Sequence, residues 1–245
     1  MHRFFLPPSA IQDQSVSFPE ETARQIQRVL RLKPGDEVIV LDGLGDQYRV
    51  LLDMPAPREV TGQVLAREPA SGEPATRLAL LVGLTQREKF EWILQKGTEV
   101  GVAEFVPFIS SRSLVQEPEK AGRKLERWSK IVQEAAEQSG RGRVPPVREP
   151  VSYSEALVLA AANDLALAAW EGEQATTLRQ AIPAPAPRRA ALLIGPEGGL
   201  SLEEIEAARR AGWTSVSLGE RILRMETAAV VGSALVLYEC ERVGS

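Results

Sequence analysis

The chain has 245 residues, 44% of them apolar and 25% charged, with a formal net charge of −4. That balance describes an ordinary globular protein, long enough for one large domain or a main domain with an appendage. It argues against a chain that coats nucleic acid, although a local basic face can still bind a structured RNA. One cysteine, Cys240, excludes an intramolecular disulfide or a thiolate cluster. The single histidine, His2, leaves no interior imidazole for a Ser/His pair or a histidine metal site, and no metal is expected. No apolar run approaches the roughly 20 residues that span a bilayer, so no membrane partner is expected. Met1 to Pro8 is broken by proline too early for a secretory signal, which makes the cytoplasm the expected address.

Residues 1–70 read as an all-β unit with one helix. Pro19 to Leu32 carries Ile26, Val29 and Leu30 at helical spacing and ends at Lys33-Pro34-Gly35. Three strand-like runs follow, Glu37 to Leu41, Gln47 to Leu52 and Val60 to Ala66, with Asp42-Gly43 and Gly45 turning between the first two. Such a unit makes a small barrel. Glu68 to Pro74 is polar and rich in turn formers. The expected organisation is therefore a barrel over 1–70, a linker over 71–76 and a second domain over 77–245.

From residue 77 strands and helices alternate, the pattern of an α/β domain with a mainly parallel sheet. Strands are predicted over Leu78–Leu84, Glu104–Ile109, Leu165–Trp170, Ala190–Gly195 and Val216–Leu218. Helices are predicted over Arg87–Val100, Glu119–Ser139, Ser154–Ala162, Ser201–Ala211 and Glu226–Val243. The last helix is apolar nearly all round, with Val230, Val231, Ala234, Leu235 and Leu237, which predicts burial in the core or against a second copy.

Two loops carry chemistry. Leu193 to Glu204 runs from a buried strand through Gly195-Pro196-Glu197-Gly198-Gly199 into a capping box of Ser201 and Glu204. It reads either as a ligand loop at the carboxyl end of a parallel strand or as a structural tight turn. It fits neither the dinucleotide fingerprint nor the P-loop, so nucleotide phosphates are not the expected ligand. Ser217 to Ala228 crowds Arg221, Arg224, Glu226 and Thr227 at a helix start. The acid and the threonine suit a helix N-terminus as caps, but cations there oppose the macrodipole unless something anionic meets them.

These loops, with Phe90 to Val102 and Glu134 to Arg141, resemble the bacterial small-subunit ribosomal RNA uridine-N3 methyltransferase family of the SPOUT class. Arg28 to Asp36 and Asp42-Gly43 are similar to that family's PUA-like barrel. The resemblance covers nearly the whole chain. It implies a trefoil-knotted α/β domain that binds S-adenosylmethionine, a homodimer, and ribosomal RNA or the small ribosomal subunit as partner. Carried over, the cofactor rests on Ala169, Trp170, Ile194, Gly195, Gly199, Leu218, Gly219, Ile222, Leu223, Thr227 and Ala228. Trp170 equally suits a core aromatic.

Methylating a uridine ring nitrogen requires loss of its proton. Arg224, with Arg221 as reserve, is expected to stabilise the resulting anion, since arginine stays protonated. Glu226 is expected to be the only nearby carboxylate able to orient that arginine or take the proton through water. For RNA, Arg3, Arg24, Arg28, Arg31 and Lys33 form one basic patch, and Lys120, Arg123, Lys124, Arg127 and Lys130 a second that also reads as a solvated helix face. Two rivals stand beside this reading: a transfer RNA methyltransferase of the same fold, and a non-catalytic RNA-binding module.

Overall fold

The structure, a computed structural model, describes residues 1–114, 124–159 and 162–244. The chain forms two compact units. The first comprises Met1–Glu73 with Ala136–Val144, and the second Pro74–Ala135 with Pro145–Ser245.

In the first unit six strands form one sheet in the order β1-β4-β5-β6-β3-β2. They are β1 (Arg3–Phe5), β2 (Ile11–Gln12), β3 (Ser15–Ser17), β4 (Glu37–Leu41), β5 (Asp46–Ala56) and β6 (Glu59–Pro69). Along β5, Tyr48, Val50 and Leu52 are buried at every second position, the period of a strand with one face on a core. They meet Phe4, Phe18, Ile26, Val38 and Val40. The turn before β5 is held by Asp42, whose Oδ1 accepts the backbone N–H groups of Leu44, Gly45 and Asp46. The predicted helix is present as α1 (Glu20–Arg24), which widens into a π-turn over Gln25–Val29.

Three sequence expectations differ here. The strands β1, β2 and β3 were not predicted, because two or three residues are too short to show a period. The strands β5 and β6 run longer than expected. Glu68 and Pro69 therefore lie in a strand, the polar composition there marking an exposed strand end.

The second unit holds an all-parallel sheet in the order β12-β10-β11-β7-β8-β9. Its strands are β7 (Arg77–Gly83), β8 (Glu104–Ile109), β9 (Val151–Ser152), β10 (Leu165–Ala169), β11 (Arg189–Ile194) and β12 (Thr214–Val216). Ala190 to Ile194 are all buried, as a central parallel strand covered on both faces requires. Each fully buried leucine or isoleucine of that strand contributes about 1.5–3 kcal/mol.

The helices are α2 (Arg87–Glu99), α3 (Leu125–Ser139), α4 (Tyr153–Leu159), α5 (Leu178–Ala181), α6 (Leu202–Arg210) and α7 (Met225–Gly244). The short α5 was not expected from sequence, one turn being too brief for a periodic signal. The last strand sits two residues earlier than predicted. The expected start of the long helix, with Lys120 and Arg123, lies outside the described residues. Phe90 of α2 packs on Trp128 of α3 with ring centroids 4.6 Å apart. Among the described residues no helix is long and apolar enough to cross a membrane.

Candidate active site

Adjacent parallel strands deliver their following loops to one edge of a sheet, and open α/β sheets bind ligands there. In this protein β12, β10 and β11 are neighbours, and the loops after them line a cleft of ≈ 570 Å³. That volume lies within the range of about 300–1,000 Å³ that small-molecule sites occupy.

The backbone of the loop after β11 can approach a ligand because of its glycines. Gly199 has φ +69°, and a Cβ there would stand 2.5 Å from Glu171 Oε1. A Cβ on Gly195 would meet Leu200 Cγ at 2.9 Å. The loop then enters α6 through the expected capping box, the Ser201 hydroxyl accepting from the Glu204 N–H and the Glu204 carboxylate accepting from the Ser201 N–H.

Of the sequence-derived cofactor residues, Ala169, Trp170, Ile194, Gly195, Gly199, Leu218, Gly219, Ile222, Leu223 and Ala228 all line this cleft. Thr227 does not; it is half-buried in the first turn of α7. Trp170 also packs against the sheet core and lies under Arg209, whose guanidinium carbon is 5.7 Å from the ring centroid. Arg221, Arg224 and Glu226 line the cleft too. The two arginines are exposed and have no ion-pair partner among the described residues.

Glu226 is not the only carboxylate at hand, which corrects the sequence expectation. Glu171, Glu197 and Glu220 share the cleft with it. Glu197 is held by the Thr85 hydroxyl and by Lys89 Nζ at 3.2 Å. Burial alone would raise its carboxyl, but these two donors and its own backbone N–H hold it below the usual carboxylate range. One oxygen of Glu197 and one of Glu226 are buried without a hydrogen-bond partner. Lys89 was missed from sequence. The available signal was its place in the first turn of α2, where a cation opposes the helix dipole as Arg221 and Arg224 do before α7.

In the first unit, Arg24, Arg28, Arg31 and Lys33 are exposed on α1, its π-turn and the loop that follows. Arg3 is half-buried in β1, and its guanidinium lies so close to Gly140 that a Cβ there would stand 2.3 Å from Nη1. In the second patch Arg127 is committed to Glu91 by two bonds of 2.6 and 2.8 Å, which favours the structural reading of that face.

The cleft fits S-adenosylmethionine in its chemistry. Apolar side chains and glycine backbone suit an adenosine, and a carboxylate such as Glu171 suits a sulfonium or an ammonium. The family comparisons agree with this class of protein. Residues 72–237 match the family model for an RNA methyltransferase domain, and residues 18–61 match that for an RNA methyltransferase PUA domain.

The ribosomal RNA small subunit methyltransferase E of Bacillus subtilis is 33% identical, over 98% of this chain and 98% of that protein. The protein of the same name from Synechocystis is 35% identical, over 96% of this chain and 77% of its own length. The crystal structure of the Neisseria gonorrhoeae protein of that name, bound to S-adenosyl methionine, superposes with a TM-score of 0.87 at 31% identity, covering 97% of each chain. The chain belongs to the ribosomal RNA small subunit methyltransferase E family of RNA methyltransferases, with a PUA domain ahead of a SPOUT-type α/β domain.

Proposed function

We propose that this chain methylates the N3 ring nitrogen of a uridine in small-subunit ribosomal RNA, with S-adenosylmethionine as donor. The observation that carries the reading is the cleft at the ends of β12, β10 and β11, which gathers Arg221, Arg224 and three carboxylates on glycine-bearing loops beside Glu226 at the start of α7. The relatives' names supply the RNA class.

In this reading Ala169, Ile194, Leu218, Leu223 and Ala228, which line the cleft, hold the adenosine, and the loops thread as the trefoil knot that the family resemblance implies. The bound cofactor supplies an electrophilic methyl group on a sulfonium. Uridine N3 is protonated at neutral pH, and removing the proton spreads negative charge over the flanking carbonyl oxygens. Arg224, exposed in the cleft, stabilises that charge once the bound RNA covers it and excludes water. Arg221 is its reserve; Glu226 lines the same cleft but makes no ion pair with either arginine among the described residues.

The first unit serves as an RNA-docking domain through Arg3, Arg24, Arg28, Arg31 and Lys33. Contacts of this kind position RNA without reading its sequence. The protein acts in the cytoplasm as a homodimer. Val231, Leu235 and Tyr238 form an exposed stripe at helical spacing on α7, with 39%, 39% and 64% of their surface open in the single chain.

The test is to offer small-subunit ribosomal RNA and transfer RNA separately with labelled cofactor, then map the methylated nucleoside by mass spectrometry. N3-methyluridine in the ribosomal RNA is the expected product. Methyl in transfer RNA alone, or none in either, overturns the reading.

A further inference from the structure

We propose that Glu197 is the proton acceptor of the reaction, its Oε2 taking first the hydrogen bond and then the proton of the target uracil N3–H. This rests on the uridine-N3 reading above and assigns the base which that reading leaves open.

The two oxygens of Glu197 differ. Oε1 accepts from the Thr85 hydroxyl and from Lys89 Nζ. Oε2 is buried and has no hydrogen-bond partner, although the residue lines the cleft. A buried acceptor left without a donor costs about 1–3 kcal/mol, more when charged. Such groups persist where a ligand completes them or where they do chemistry. Of the donors a uracil brings to this cleft, only N3–H must be lost for the reaction to proceed.

Glu226 is the rival, since its Oε2 is also buried and unpartnered. No donor among the described residues fixes it. Glu197, by contrast, is pinned through its other oxygen on a loop that follows the buried strand β11. A base set in place before substrate arrives avoids the reorganisation that a mobile one requires.

The charged groups that share the cleft with Glu197 are Lys89 from α2, Glu171 after β10, Glu220, Arg221 and Arg224 after β12, and Glu226 on α7. Arg112 reaches the same loop through the Gly198 carbonyl at 3.1 Å. Of these, Lys89 alone bonds to the Glu197 carboxylate, and with Thr85 and the backbone it keeps that group ionised at neutral pH.

In the step itself the N3–H proton passes to Oε2 and its electron pair stays on N3. N3 then bonds the methyl carbon as the S–CH3 pair leaves with sulfur, giving a neutral thioether. Glu197 returns its proton to water. A carboxylate is a weaker base than uracil N3, so the transfer is uphill. Arg224 reduces that cost by stabilising the anion.

The experiment is single-turnover methylation of small-subunit ribosomal RNA by the full chain across pH, with cofactor affinity measured by calorimetry on each variant. Wild type should be flat from about pH 6 to 9, because its base is already ionised. Glu197→Gln should be slower by about 100-fold or more at pH 7 and should gain about tenfold per pH unit, as it draws on uracil ionised by hydroxide. Its cofactor affinity should stay within a few-fold of wild type. Glu226→Gln should keep the flat profile.

Lys89→Gln should move the acid limb to higher pH, since removing the cation lets the carboxyl rise. This variant tests the assignment even if Glu197→Gln folds poorly. A flat profile in Glu197→Gln, a defect wholly explained by lost cofactor affinity, or an unmoved acid limb in Lys89→Gln overturns the assignment alone. Methyl found on an atom other than uracil N3 in the wild-type product overturns the underlying reading and this one with it.

Discussion

Lys89 and Glu197, 108 residues apart in the chain, meet at 3.2 Å in the wall of the cleft. The meeting follows from the sheet. The strands β7 and β11 pair in parallel register, Val82 opposite Ile194, so the loop after one is brought beside the loop after the other. A single ion pair this exposed contributes little to stability. Its consequence here is to fix a charge beside a ligand cleft.

Arg224 is expected to serve turnover rather than cofactor binding. Arg224→Ala should bind S-adenosylmethionine within a few-fold of wild type yet lose on the order of 100-fold in single-turnover rate, the scale of one preorganised charge stabiliser. Arg224→Lys should recover part of the loss, because an ammonium cannot span two oxygens as a guanidinium does. Raising the pH should partly rescue the alanine variant. If cofactor affinity accounts for the whole defect, Arg224 belongs to the cofactor site and the charge role passes to Arg221.

The pair Glu73 and Arg141 should matter to the stability of the first unit. Arg141 is 2% exposed and meets Glu73 through Nε at 3.2 Å and Nη2 at 2.7 Å. The same carboxylate accepts the Arg143 backbone N–H. Breaking a fully buried pair costs about 3–5 kcal/mol. Glu73 keeps 25% of its side chain exposed and Arg141 has further interactions, so Glu73→Gln should cost about 2 kcal/mol. Urea unfolding measures it, and an unmoved midpoint would show that the pair is not stabilising.

Glu173 should make stability depend on acid. The Ser215 hydroxyl, the backbone N–H groups of Ala175 and Thr176, and Arg209 hold its carboxyl below the usual range. A carboxyl depressed in the folded state contributes stability that is full above its unfolded value, near pH 4.3, and is lost as pH falls through the lower folded value. Wild-type melting temperature should therefore fall in that acid window, and Glu173→Gln should fall less while melting lower at neutral pH. Equal acid slopes for the two proteins would contradict this.

Leu235 should control assembly. It is 39% exposed at the centre of the stripe formed with Val231 and Tyr238. Leu235→Glu places a charge where a second copy would cover it, and desolvating that charge is unfavourable. Light scattering should show wild type as a dimer and the variant as a monomer with unchanged circular dichroism. A monomeric wild type at micromolar concentration would remove the dimer.

The alternation of strand and helix from residue 77, the apolar run of β11 and the Ser201–Glu204 capping box were legible in the sequence because each is a local signal. Spacing of 2 or 3.6 residues, or a side chain reaching three residues along, is fixed by neighbours in the chain. The arginines before α7 were legible for the same reason, their charge being wrong for that end of a helix. The strands β1 and β3 were not, since they exist only through pairing with distant partners such as Ile39, Val40 and Gly62, and β2, which pairs with β3 alone, is only two residues long. Likewise only the tertiary structure placed Lys89 and Glu171 at the cleft, set the buried Thr85 behind Glu197, and gave Glu197 one pinned oxygen and one unpartnered one. The order of strands across a sheet decides which loops become neighbours, and strand order depends on long-range pairing that no local periodicity encodes.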